Sequence, residues 1–111
     1  MPHCIIEHSP SIDSNALNQL VFEGAMASKL FAPDGSDIKV RSLVYQSYQS
    51  GGRKQEFVHV SAKILSGRSE ADKCLLSQCI LKQLLELGLA DASLTVEVVD
   101  IDRASYAKQI V

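Results

Sequence analysis

The sequence predicts an α+β (α/β) fold in which two consecutive βαβ units form one four-stranded sheet, with both helices on one face. In two longer segments the apolar residues have helical spacing. Each of these segments lies between two short stretches that are apolar or alternate apolar with polar residues, so the order strand, helix, strand occurs twice. Short connections with right-handed crossovers make the two strands of each unit parallel. The 111 residues suffice for one domain, with units of about 1–50 and 53–101 and a tail over 102–111.

The first unit opens with a short strand over residues 3–8, which the Ser-Pro-Ser sequence at 9–11 interrupts. Asp13 or Ser14 can cap the following helix with a side-chain oxygen. Apolar residues then recur on one helical face as far as about Phe31. A first strand and a first amphipathic helix are therefore expected here.

The second strand follows a loop with turn residues at 32–36. It is expected from Ile38 to Tyr48, where apolar residues alternate with a face that carries Arg41. Ser50-Gly51-Gly52-Arg53 then has the composition of a tight turn. We interpret this turn as the tip of a hairpin that leads into the second unit.

The second unit repeats the layout of the first. A strand is expected over 57–65, with every second residue apolar. Ser69 and Asp72 form a variant of the capping box at the start of a helix that reaches about Leu87, and Gly88 is a natural stop. The apolar side of this helix is wide, which is typical of a helix buried on a sheet.

A last strand over 93–101 and a tail over 102–111 complete the chain. Two helices cover only one face of the sheet, so the other face would expose a large apolar patch. We therefore expect the protein to self-associate. The tail is polar and then apolar, and could cover another subunit.

Composition excludes several classes of partner. The net charge of −2 argues against nucleic acid or a membrane surface, and no apolar run approaches the ~20 residues of a membrane span. Without the pattern of a signal peptide, a cytoplasmic protein is expected. The cysteines Cys4, Cys74 and Cys79 lack the spacing of a disulfide framework or zinc site, and we interpret them as core residues. No metal site is expected.

Pro2 is the first candidate for chemistry. If Met1 is removed, Pro2 supplies a secondary amine at the start of a buried strand. A free α-amine has a pKa near ~8, and burial or a nearby guanidinium lowers that pKa. Such an amine can act as general base and then as acid near pH 7. Many chains begin with Met-Pro for no chemical reason, however, and with Met1 retained the Pro2 nitrogen is an amide.

Two arginines are candidates for carboxylate binding. Arg68 precedes the second helix, whose free N–H groups and dipole favour an anion, and its guanidinium can clamp a carboxylate. Arg41 projects from a strand, opposite Val40 and Val44. Either arginine could instead form surface or intersubunit ion pairs.

Four short motifs, in this order and on the expected elements, resemble those of the 5-carboxymethyl-2-hydroxymuconate isomerases of the tautomerase superfamily. They are Met1-Pro2-His3-x-Ile5-x-Glu7, Val40-Arg41-Ser42, Phe57-Val58-His59-Val60 and Gly67-Arg68-Ser69. The resemblance implies the tautomerase fold and a homotrimer with a barrel-like core. It also implies a cofactor-independent isomerase of aromatic catabolism, which moves a proton along an unsaturated 2-hydroxy/2-oxo polycarboxylate. In that reaction Pro2 would be the catalytic base, and Arg41 and Arg68 would bind the small-molecule carboxylate substrate.

Three further residues are weaker candidates. Tyr45 and Phe57 could line the pocket or belong to ordinary packing, and His59 is interpreted as a hydrogen-bonded structural histidine that matches a family position. Leu43 stands where the family has a second arginine, which leaves the substrate open. The alternatives are a tautomerase of another enol acid, such as phenylenolpyruvate, and a non-catalytic homotrimeric binding protein if Met1 is retained.

Overall fold

The computed structural model of the protein describes all 111 residues, and its four strands form one mixed sheet in the order β2-β1-β3-β4. Two helices pack on this sheet, as the sequence predicted. The strands are β1 (His3–His8), β2 (Lys39–Val44), β3 (Glu56–Leu65) and β4 (Ala92–Ile101), and the helices are α1 (Ser14–Ala27) and α2 (Glu70–Leu84). Single 3-10 turns follow α2 at Leu85–Leu87 and β4 at Arg103–Ser105.

The two βαβ units have the same internal register. β1 pairs with β2 in parallel, with His3 opposite Lys39, and β3 pairs with β4 in parallel, with Glu56 opposite Ala92. Both pairs join residues thirty-six positions apart. The predicted parallel pairing within each unit is therefore confirmed. The units meet through β1 and β3, which are antiparallel.

The predicted hairpin between the second and third strands is wrong. β1 lies between β2 and β3 in the sheet, so these two strands are not neighbours. The turn itself forms, since the amide of Ser50 donates to the carbonyl of Arg53 at 2.8 Å. It lies within a connection over 45–55 that crosses the end of β1. β2 stops at Val44, earlier than predicted, because its partner strand ends opposite it at His8.

Side chains cap both helices as their sequences suggested. The amide of Ala16 donates to the Asp13 carboxylate at 2.9 Å, and the amide of Asp72 donates to Ser69 Oγ at 3.1 Å. α1 ends earlier than the predicted Phe31, because Lys29 adopts a left-handed backbone with φ of 58°. Helical structure after α2 ends at Gly88, which has φ of 64°.

The core lies between the helices and one face of the sheet. Alternate residues of β1 and β3 are fully buried there, as predicted for β3, and those of β1 include Cys4 and Ile6. α2 buries only a narrow stripe, namely Leu76, Ile80 and Leu84. The interpretation of all three cysteines as core residues is wrong for Cys74, which is exposed because it lies two residues, about 200° of helix, away from this stripe.

The two helices cross at very close range. A Cβ on Gly24 would lie 2.7 Å from the Cα of Ile80, so only glycine fits at this point of α1. Gly24, although glycine is unfavourable inside a helix, is thus a requirement of the packing. Neither helix is long and apolar enough to cross a membrane.

The other face of the sheet is only partly covered. Its side chains on β1 and β3 are half-buried, and Arg41 and Leu43 on β2 are exposed. The tail reaches back to one edge, where Tyr106 contacts His3, but Ile110 and Val111 at its end are exposed. We call this surface the open face.

Candidate active site at the chain terminus

The amino terminus is fixed at the start of β1. The Met1 ammonium donates to the carbonyl of Asp37 at 2.7 Å, and the amide of Lys39 donates to the carbonyl of Pro2 at 3.0 Å. Met1 is half-buried, whereas Pro2 is fully buried. The first two residues therefore belong to the folded structure and extend the pairing of β1 with β2.

The terminus lies in a cavity of about 250 Å³. Leu30, Phe31 and Ile64 contribute apolar surface to it. Its charged side chains are Asp37, Arg68 and Arg103. A larger hollow of about 350 Å³ also uses Phe31, but Lys29 is its one charged residue and it contains no base suited to proton transfer near neutral pH. The smaller cavity is therefore the better candidate site.

The surroundings lower the pKa of the terminal amine below its ordinary value of 8.0. Burial is the main cause, because it disfavours the charged form. Lys39 and Lys108 lower the pKa further, and only the charge of Asp37 raises it. An amine at this place is therefore neutral, and able to accept a proton, at a lower pH than an exposed one.

Contacts with a backbone carbonyl and an aromatic ring hold Arg68 beside the cavity. Its Nη2 donates to the carbonyl of Leu30 at 2.5 Å, and its guanidinium lies 5.9 Å from the centre of the Phe31 ring. The nearest carboxylate, on Asp72, is 3.9 Å away. The charge of Arg68 is thus oriented by a carbonyl and an aromatic ring, and forms only a long ion pair with Asp72.

Arg103 is a residue that sequence reasoning missed. It follows β4, and its Nε and Nη2 donate to the carbonyl of Ser66 at 3.2 and 3.0 Å. The sequence could have indicated Arg103, because β3 and β4 were both expected as strands of one parallel pair. In parallel strands the residues that follow each strand lie side by side. The register Leu65 opposite Ile101 brings Arg103 next to the loop that carries Arg68.

Arg41 does not line this cavity. It lies on the open face, where its Nη1 is 3.2 Å from Nδ1 of His3, and His3 Nε2 is 2.9 Å from the hydroxyl of Tyr106. Burial, and then the charge of Arg41, lower the pKa of His3. A neutral His3 can accept from Arg41 through Nδ1 and donate to Tyr106 through Nε2. This network ties the tail to β1.

Tyr45 and Phe57 lie at the opposite end of β1 from Pro2. The Tyr45 hydroxyl donates to Glu7 at 2.6 Å, and this bond raises the pKa of the phenol. Phe57 packs against Tyr48, with 4.8 Å between ring centres, beside a hollow of about 240 Å³. Because β3 runs antiparallel to β1, one chain does not bring these aromatic residues to the terminal cavity.

His59 is engaged by side chains of β4. Its Nδ1 is 2.7 Å from the Thr95 hydroxyl, and its Nε2 is 2.6 Å from the Glu97 carboxylate. The bond from His59 lowers the pKa of Glu97. These contacts suit a hydrogen-bonded structural histidine on the open face. No three His, Cys, Asp or Glu side chains are grouped as metal ligands.

Comparison with known proteins bears on the fold. No protein-family model and no curated protein matches the chain. Among solved structures, a 5-carboxymethyl-2-hydroxymuconate isomerase from Deinococcus radiodurans R1 aligns with a TM-score of 0.75 at 20% identity, covering 97% of this chain and 88% of that one. A fused 4-OT asymmetric trimer, F6, gives 0.78 at 14% identity, covering 96% and 91%. The protein Pt0534, inactivated by 2-oxo-3-pentynoate, gives 0.77 at 14% identity with the same coverage. The chain therefore has the tautomerase fold, as the resemblance of its motifs implied.

Proposed function

We propose that the protein is a cytoplasmic, cofactor-independent tautomerase that moves a proton along an unsaturated 2-hydroxy/2-oxo polycarboxylate. The first candidate substrate is 5-carboxymethyl-2-hydroxymuconate, an intermediate of aromatic catabolism. One observation carries the proposal: the chain terminus lies in a cavity whose surroundings lower the pKa of its amine and whose rim holds Arg68. The tautomerase fold supports the same reaction class.

In the proposed mechanism, Met1 is removed and the Pro2 nitrogen becomes the base. Removal of Met1 would bring the Pro2 nitrogen to the wall of the cavity that Met1 now lines, where partial burial and nearby cations lower the pKa of an amine. The neutral amine accepts a proton from the 2-hydroxy dienol and returns it to a carbon of the conjugated system, which yields the 2-oxo form. One group serves as base and then as acid, and its nitrogen is fixed by the proline ring and by β1.

Arg68 is proposed to hold a substrate carboxylate and to stabilise the negative charge that develops on the dienolate. A guanidinium suits both tasks because it presents several donors in one plane. The ion pair of Arg68 with Asp72 is long, at 3.9 Å, and half-exposed, so a substrate carboxylate can compete for this charge. The apolar wall of the cavity, with Leu30 and Phe31, would exclude water from the conjugated chain.

Self-association as a homotrimer completes the proposed site. Arg41, Tyr45 and Phe57 lie away from the terminal cavity of their own chain, on or beside the open face. Their proposed roles in substrate binding therefore require that a neighbouring subunit meets this face. The fused 4-OT trimer of the same fold supports such an assembly.

The test combines intact mass with an enzyme assay. Natively expressed protein should lack the mass of Met1 and should convert the dienol of 5-carboxymethyl-2-hydroxymuconate with loss of its ultraviolet absorbance. Pro2→Ala should lose most of that rate, about tenfold or more, because a flexible primary amine replaces one held by a ring. An unchanged rate in Pro2→Ala would refute the proposed mechanism. Lys82→Gln, on the exposed side of α2, is the control and should retain full activity.

A non-catalytic homotrimeric binding protein is the second candidate, and it applies if Met1 is retained. With Met1 present, its ammonium bonds to Asp37 and the Pro2 nitrogen is an amide without a titratable proton. A natively expressed mass that includes Met1, together with no turnover of enol substrates, would decide for this candidate. Turnover of phenylenolpyruvate but of no polycarboxylate would instead identify a tautomerase with another substrate, in line with Leu43 on the open face.

A further inference from the structure

Arg103 has features of a ligand-binding residue beyond those already assigned to the site. Its Nε and Nη2 both bond to one backbone carbonyl, that of Ser66, which fixes the plane of the guanidinium. Its Nη1 has no protein partner, and Arg103 forms no ion pair with a carboxylate. Since Arg103 also lines the terminal cavity, a fixed and uncompensated positive charge stands at the rim of that cavity.

The charge balance of the cavity favours a dianion. Arg68 and Arg103 both lie on its rim, and Lys39 and Lys108 are close enough to lower the pKa of the terminal amine. Asp37 is its one acidic residue, and the Asp37 carboxylate is already engaged by the amide of Ala32 at 3.2 and 3.3 Å. Asp72 lies 3.9 Å from Arg68, whereas Arg103 has no ion-pair partner, so a ligand with a single carboxylate at Arg68 would leave the charge of Arg103 without a partner.

We propose that Arg103 is a specificity-determining residue that binds a second carboxylate of the substrate, while Arg68 binds the first. This assignment rests on the proposed function for the identity of the site. Arg103 would select against substrates with one carboxylate, because its charge would then lack a partner. The bond to Ser66 adds pre-organisation, since the guanidinium need not be ordered when the ligand arrives.

The test uses two unreactive probes that differ by one carboxylate. trans,trans-Muconate is a six-carbon diene with a carboxylate at each end, and sorbate is the same diene with a methyl group at one end. Calorimetric titration of the protein without its initiator methionine should give tighter binding of muconate than of sorbate, by about tenfold. Arg103→Gln should remove that preference, Arg103→Lys should keep most of it, and Lys82→Gln should leave it unchanged.

Each outcome decides one question. Equal binding of the two probes by the unmodified protein overturns the inference, as does a muconate preference that survives in Arg103→Gln. Parallel weakening of both probes in Arg103→Gln also overturns it, because that result indicates only a loosened Ser66 loop. If muconate binding depends on Arg103 but no enol substrate is turned over, the proposed function fails while the role of Arg103 stands.

Discussion

At the scale of single residues, the terminal amine gains its proposed reactivity from its neighbours. Lys39 lowers the pKa of the Met1 amine through its side-chain hydrogen bond and its charge, and we expect it to act in the same direction on the Pro2 amine once Met1 is removed. A general base must be neutral, so kcat/KM should fall as pH drops through that pKa. Lys39→Gln removes one cause of the lowered pKa and should move this acidic limb to higher pH. A pH–rate profile measures the shift.

The comparison for this prediction is Lys82→Gln, which removes a positive charge far from the terminus. Its acidic limb should coincide with that of the unmodified protein. A limb that stays in place in Lys39→Gln, or moves to lower pH, would contradict the proposed control of the amine by Lys39.

The cysteines should differ sharply in reactivity. Burial raises the pKa of the Cys4 thiol to about 11, whereas Cys74 is exposed on α2. Because only the thiolate reacts, iodoacetamide at pH 8 should alkylate Cys74 and spare Cys4 in the folded protein. Mass spectrometry of peptides can follow both sites, and all three cysteines should react in guanidinium chloride. Equal rates at Cys4 and Cys74 under native conditions would show that the strand opens readily.

At the scale of elements, the contact between α1 and α2 depends on one missing side chain. Gly24→Ala would gain up to ~1 kcal/mol of helix propensity. The new Cβ, however, would lie 2.7 Å from the backbone of Ile80, and the helices would have to separate. Overpacking of this kind costs about 1–3 kcal/mol, so a net loss of about 1 kcal/mol in the free energy of unfolding is expected.

Urea denaturation provides the measurement for Gly24→Ala. Gly52→Ala is its control, since a Cβ there has no atom within 4 Å and the backbone is not left-handed. The control should change the free energy of unfolding by less than about 0.5 kcal/mol. A Gly24→Ala protein as stable as the control would mean that the helices shift apart without cost.

The elements were predictable where local chemistry decides them. Asp13 and Ser69 cap helices that begin where their sequences indicated, and alternation defined the buried face of β3. The order of strands was not predictable from the turn at Ser50–Arg53, because a tight turn is compatible with a hairpin and with a longer connection. Pairing of β1 with β3 depends on contacts between distant residues.

The candidate site was predictable only in part for the same reason. Pro2 and Arg68 were singled out, and Arg68 lines the cavity together with Met1, the residue that precedes Pro2. Arg103 was missed because its relevance depends on the register of β3 with β4. Arg41 was singled out from a motif, yet alternation along β2 directs it to the open face, away from that cavity.

At the scale of the whole molecule, the open face should be the surface that holds subunits together. Ile5 lies on it, half-buried, in the middle of a central strand. Ile5→Glu would place a charge where the homotrimer needs apolar contact, and should convert trimer into monomer. Light scattering after gel filtration gives the mass in solution, and circular dichroism checks that the chain is folded.

Leu75→Glu is the matched control for the open face. Leu75 is 45% exposed on α2, on the other side of the sheet, and its replacement should leave a trimer intact. An unmodified protein that is monomeric would refute the proposed assembly. A trimer that persists in Ile5→Glu would assign the interface to another surface.

The antiparallel pair at the centre of the sheet has a consequence for how the chain folds. β1 and β3 join residues fifty to sixty positions apart, from His8 with Val58 to His3 with Lys63. Closing so long a loop costs entropy before the apolar contacts repay it, and chains with many distant contacts fold slowly. During synthesis, β1 must therefore wait for the second half of the chain to leave the ribosome. Until then, one edge of the most buried strand stays unpaired, and a chaperone or a second nascent chain can compete for it.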